Sequence, residues 1–155
     1  MSREPQGRPH RHLIDRRSGD AGALMERILV VDDEKTVRDT VAMLLRHEGY
    51  RVVVAECGHA ALGAVEAFMF DLVIIDVVMP GMDGLETISV LRQDAPDLPI
   101  IVMSGYGTGS GATGPDFFFR TAVERGATCC LRKPFTREQL LDAIAFCRAS
   151  QSMVA

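Results

Sequence analysis

Three short apolar runs end abruptly in charge, and that pattern constrains the fold more than anything else in the chain. Ile28-Leu29-Val30-Val31 runs into Asp32-Asp33, Leu72-Val73-Ile74-Ile75 into Asp76, and Cys129-Cys130-Leu131-Arg132 into Lys133. Runs this short, alternating with amphipathic stretches, read as buried parallel strands. Parallel strands bring their carboxyl ends to one edge of a sheet, where α/β proteins place their sites. The three acids and the lysine therefore converge. Gathered carboxylates call for a divalent cation, and an all-oxygen donor set suits Mg²⁺.

The stretches between the runs have helical character. Val37, Val41, Leu44 and Leu45 fall on one face of a helix that Gly49 would stop. Leu140, Ala143, Ile144 and Cys147 form a second stripe, preceded by Thr136 and Gln139 at capping-box spacing. The whole pattern predicts strands over 28–31, 51–55, 72–75, 100–103 and 128–131. It predicts helices near 35–48, 59–70, 85–93, 116–125 and 137–148. Alternation of this kind makes one compact α/β domain, a size that 155 residues fit.

Residues 1–24 carry five arginines against Glu4, Asp15 and Asp20, a balance of +2, and have no apolar periodicity. They read as a disordered basic leader, with Met25 an alternative natural start beside the first strand. The chain's net charge is −4, so residues 25–155 carry −6. An acidic domain is a poor candidate for nucleic-acid backbone binding. No apolar run approaches the roughly 18 residues of a membrane span, and residues 1–24 lack the apolar core of a signal peptide. Cys57, Cys129, Cys130 and Cys147 have no zinc or C-x-x-C spacing. Cys129 and Cys130 would point to opposite faces of a strand, so reduced, buried thiols in a cytoplasmic protein are expected.

Four pieces in order resemble the receiver domain of two-component response regulators. They are Val31-Asp32-Asp33-Glu34, the segment from Asp76 through Met79-Pro80-Gly81-Met82-Asp83-Gly84, Ser104-Gly105-Tyr106, and Gly126-Ala127 followed by Lys133-Pro134-Phe135. The resemblance covers about residues 26–149. It implies a flavodoxin-like (βα)5 fold with a five-stranded parallel sheet in the order 2-1-3-4-5, the receiver occupying 25–150 and a tail 151–155. It implies that Asp76 is the phosphoacceptor and that Asp32 and Asp33 hold Mg²⁺, with the Val78 carbonyl and Asp76 itself as further ligands. Lys133 would neutralise phosphoryl oxygens and Ser104 would hydrogen-bond one. The implied protein is a stand-alone phosphoacceptor, not a conventional enzyme, that promotes its own phosphotransfer and dephosphorylation. Its implied partners are a sensor histidine kinase and either a downstream protein or a histidine phosphotransfer protein.

The chain departs from that family at Cys130, where an aromatic residue is usual, and in a long Gly-rich segment over 106–116. Gly109-Ser110-Gly111-Ala112-Thr113-Gly114 matches a dinucleotide fingerprint but follows its strand too late, before Pro115. Tyr106 either overhangs the site or stands in solvent. Three successive phenylalanines, 117–119, cannot all face the core of one helix, since neighbours are about 100° apart. Two other function classes are disfavoured. A phosphatase with an aspartate nucleophile wants a second acid two residues on, where Val78 stands. A flavin binder would not present Asp32, Asp33 and Glu34 to a phosphate.

Overall fold

The structure, a computed structural model, describes residues 26–105 and 115–153. Five strands alternate with five helices. The order is β1 (Arg27–Val31), α1 (Lys35–His47), β2 (Arg51–Ala55), α2 (Gly58–Ala67), β3 (Leu72–Asp76), α3 (Gly84–Asp94), β4 (Ile100–Ser104), α4 (Pro115–Glu124), β5 (Cys129–Arg132) and α5 (Arg137–Ser152). The sheet runs β2-β1-β3-β4-β5, and every neighbouring pair is parallel. This is the expected flavodoxin-like order.

Both faces of the sheet are covered, which explains the uninterrupted apolar runs. Ile28, Val30, Ile74, Ile101 and Met103 pack against Val41 and Leu45 of α1 and Leu140 and Ile144 of α5. Leu29, Val31, Val73, Ile75 and Val102 pack against Ala61 and Val65 of α2, Leu85, Ile88 and Leu91 of α3, and Ala122 of α4. Each fully buried Val, Leu or Ile in β1 and β3 contributes about 1.5–3 kcal/mol relative to exposure. Cys129 packs on the α1/α5 side and Cys130 on the α2/α3/α4 side, as strand alternation requires. Of the four thiols only Cys147 is fully buried.

Helix ends follow local chemistry. Beyond α1, the Gly49 N–H donates to the Arg46 carbonyl and the Tyr50 N–H to the Leu45 carbonyl, with Gly49 at φ +93°. Gly126 repeats this at the end of α4, at φ +111°. These are paired C-terminal bonds that favour glycine. Thr136 and Gln139 form the expected capping box, and Asp83 with Glu86 forms another that starts α3 at Gly84. Glu34 stands at the start of α1 without a side-chain cap bond. Helix α2 stops at Ala67, short of its expected end, because Phe68 turns extended and lies under the Arg27 guanidinium at 5.4 Å. Among the described residues no helix is long and apolar enough to cross a membrane. The expected leader over 1–24, Tyr106 and the glycine-rich match at 109–114 lie outside the described residues.

Candidate phosphoacceptor and cation site

Chain connections leave β1 toward β2 and β3 toward β4, so the sheet order reverses between the two central strands. A crevice opens at the carboxyl ends there. Asp76 is the last residue of β3, Asp32 follows β1, Ser104 ends β4 and Lys133 follows β5. The site is thus assembled from four strand ends, and its side chains inherit the rigidity of the sheet.

Oxygens of Asp32, Asp33 and Asp76 lie within 4.8 Å of one another. Asp32 is fully buried, Asp76 is 7% exposed, and Asp33 is exposed. The Lys133 ammonium sits 2.7 Å from Asp32 Oδ2 and 3.3 Å from Asp76 Oδ1. Burial pushes the Asp76 carboxyl up to about 6; Lys133 opposes this, while Asp32 and Asp33 add to it. Burial alone would push the Lys133 ammonium down, but its hydrogen bond to Asp32 and the attraction of both acids outweigh it, and its pKa is raised.

Asp32 is held at every polar group. Its N–H donates to the Ala55 carbonyl at 3.2 Å, and its carbonyl accepts from Arg38 Nη1 at 2.7 Å. Its Oδ1 accepts from the Glu34 N–H at 2.9 Å, an Asx-type turn, and its Oδ2 from Lys133. Asp33 differs: its carboxylate accepts no hydrogen bond from a described residue. Ser104 is buried, and its hydroxyl makes a long 3.3 Å bond to the Gly105 carbonyl. Its own carbonyl accepts from the Lys133 N–H at 2.8 Å, which stitches β4 to the loop that carries the lysine. Val78 points its side chain into solvent, 63% exposed. The carbonyl of Val77 before it is taken by the Gly84 N–H at 2.9 Å.

Two residues beside the site carry a structural role that the sequence alone did not reveal. Gly84 lets α3 start against the end of β3: a Cβ there would lie 2.1 Å from the Asp76 carbonyl oxygen. The expected helix start at 85 hid this, although Asp83 and Glu86 at capping-box spacing signalled it. Arg38 reaches back over the first turn of α1, and a lone arginine on a helix carries no sequence signal of that reach.

Three carboxylates facing one ammonium leave an excess of two negative charges. Two like charges 4 Å apart repel by about 4 kcal/mol at an effective dielectric of 20. A divalent cation would cancel that excess, and the donors are all hard oxygens. The residues present therefore fit Mg²⁺.

The family model for the response regulator receiver domain matches residues 28–145. The chain belongs to this family. Response regulator MprA of Mycolicibacterium vanbaalenii is 38% identical over 115 residues, which is 74% of this chain and 47% of MprA. Among solved structures, NtrX from Brucella abortus aligns with TM-score 0.75 and 30% identity over 84% of this chain and 28% of NtrX. The Vibrio cholerae chemotaxis protein CheY4 aligns with TM-score 0.69 and 32% identity over 78% of this chain and 97% of CheY4. The chain thus spans about half the length of the curated relative MprA. In this receiver, the four strand-end positions Asp32, Asp76, Ser104 and Lys133 all fall inside the matched segment.

Proposed function

We propose that this receiver accepts a phosphoryl group on Asp76 from the phosphohistidine of a sensor histidine kinase and then signals by phosphorylation-dependent protein binding. The observation that carries the reading is one constellation: a nearly buried Asp76 carboxylate, 3.3 Å from Lys133 and within 4.8 Å of Asp32 and Asp33. An Asp76 oxygen attacks phosphorus, a P–O bond forms, the P–N bond of the phosphohistidine breaks, and the imidazole leaves with the electron pair. Asp32, Asp33, Asp76 and the Val78 carbonyl would hold Mg²⁺, which would supply positive charge to offset the phosphoryl oxygens and favour the ionised form of Asp76. Lys133 stands ready to pair with a phosphoryl oxygen as its hold on Asp76 is given up. Ser104 needs to leave only a long bond to offer its hydroxyl to another. Val78 puts no acid beside the acyl phosphate, which argues against a phosphatase with a second carboxylate.

In this reading residues 25–150 work as a cytoplasmic receiver module. The test is intact mass after incubation with acetyl phosphate. One phosphoryl group should appear in the presence of Mg²⁺, and none with EDTA or in Asp76→Asn. Equal gain in Asp76→Asn, or gain indifferent to EDTA, overturns the assignment.

A further inference from the structure

We propose that Arg38 is a positioning residue for the cation site: it fixes the Asp32–Asp33 peptide and so aims the Asp33 carboxylate at Asp32 and Asp76. This rests on the reading above that the acidic cluster holds Mg²⁺. Asp33 is the exposed member of the cluster and accepts no hydrogen bond from a described residue. A side chain without partners is aimed by its backbone alone. The peptide that enters Asp33 is gripped at its oxygen by Arg38 Nη1, at 2.7 Å. The arginine is itself placed by the first hydrogen bond of α1, from its N–H to the Glu34 carbonyl at 3.0 Å. Arg38 is half-buried, so the bond is partly sheltered from competing water. The chain from Asp32 to Arg38 is thereby closed twice: at Asp32 Oδ1 by the Glu34 N–H, and at the Asp32 carbonyl by Arg38.

The sign of the effect separates positioning from plain electrostatics. A cation near the site repels Mg²⁺, so losing a positive charge should by itself tighten Mg²⁺ binding. Losing a group that aims a ligand should weaken it, by about tenfold for partners that orient metal ligands. Arg38→Met keeps the aliphatic stem and removes the donor. Its Mg²⁺ affinity, measured by calorimetry at neutral pH, should fall about tenfold below wild type. Lys35→Met, a charge loss on the same turn at an exposed residue paired with Asp39, should bind Mg²⁺ as tightly as wild type or tighter. Arg38→Lys should recover most of the loss, because a carbonyl acceptor asks for one donor and not a fork. If Arg38→Met does not fold, Arg38→Ala, which also removes the donor at that half-exposed position, carries the same expectation. Unchanged or tighter binding in the Met or Ala variant overturns the proposal, and so does a Lys variant as weak as the Met one. Failure of the wild-type protein itself to bind Mg²⁺ overturns the cation-site reading and the proposal with it, whereas wild-type binding with an indifferent Arg38 sinks the proposal alone.

Discussion

Asp76→Asn should stabilise the cation-free protein at neutral pH, and the gain should fade as the pH falls. Burial holds the Asp76 carboxyl at about 6 against an ordinary 3.8, in spite of Lys133 at 3.3 Å. The folded state therefore keeps its proton over a range where the unfolded chain has released it. With more protons bound in the folded state, stability falls as pH rises through that window. Protonated Asp76 is harmless below about pH 4; the penalty grows to pH 6 and is complete above it. A shift of about two units at about 1.4 kcal/mol each makes the full penalty about 3 kcal/mol. Asparagine is nearly isosteric and never ionises, so it escapes that penalty, and Lys133 keeps Asp32 at 2.7 Å as its partner. Urea unfolding in EDTA should find the Asn variant about 3 kcal/mol more stable at pH 7.5, and about 1 kcal/mol more stable near pH 4.5. Saturating Mg²⁺ should narrow the gap from the other side by stabilising the wild type. An Asn variant no more stable than wild type at pH 7.5, or a gap that does not shrink on acidification, would refute the account of Asp76 as a carboxylate strained by burial.

Three further outcomes are expected. Asp33→Ala should weaken Mg²⁺ binding in calorimetry far more than Glu34→Ala, since Asp33 lies in the 4.8 Å cluster and Glu34 stands at the helix start with no cap bond; comparable losses would mean the ligand set is wrongly drawn. Gly84→Ala should cost at least about 1–3 kcal/mol in urea unfolding and lower phosphoryl uptake, because the added methyl meets the Asp76 backbone. Gly63→Ala, on an exposed turn of α2 with nothing within 4 Å, should instead gain about 0.5–1 kcal/mol. A chain started at Met25 should keep both its melting temperature and its Asp76 reactivity, since the family match begins only at residue 28.

The strands were legible because burial on both faces leaves a run of Val, Ile and Leu that few other environments tolerate. The expected bounds of β2 match those observed, and β1, β3 and β4 differ only by a terminal residue. The placement of the candidate site residues at strand ends was legible for the same reason: a charge beside such a run has only the sheet edge to occupy. Helix ends were less so. The capping box at Thr136 was visible and the one at Asp83 was passed over, while α2 ended early at Phe68, whose ring lies beneath Arg27, a partner 41 positions away in the chain. Arg38 was illegible because its role depends on where a long side chain folds back, which no periodicity encodes.

Cys130 raises the question of which element yields when the site changes. The thiol is half-buried and faces the Phe119 carbonyl at 3.8 Å, too small a group to fill and vacate a cavity as an aromatic ring does. Beside that weak thiol contact, β5 is tied to α4 on that side by Arg132, which pairs with Asp116 at 2.9 Å and lies over the Phe119 ring at 5.6 Å. Both groups of the ion pair are well exposed, so the pair contributes at most about 1 kcal/mol, and the cation–π contact about 0.5–1 kcal/mol. The strands inward of this edge are far harder to move, since β4 beside β5 and β3 beyond it are buried along their whole length. Phe117 is 46% exposed, while Phe118 and Phe119 lie partly buried against the core, so the first turns of α4 already present one ring to solvent. Lys133 follows Arg132 directly, and its N–H is bonded to Ser104. A pull on Lys133 or Ser104 from a new phosphoryl group therefore meets its least resistance at the Arg132 contacts. In this receiver the start of α4 should loosen from β5 before any side chain in the core has to change rotamer.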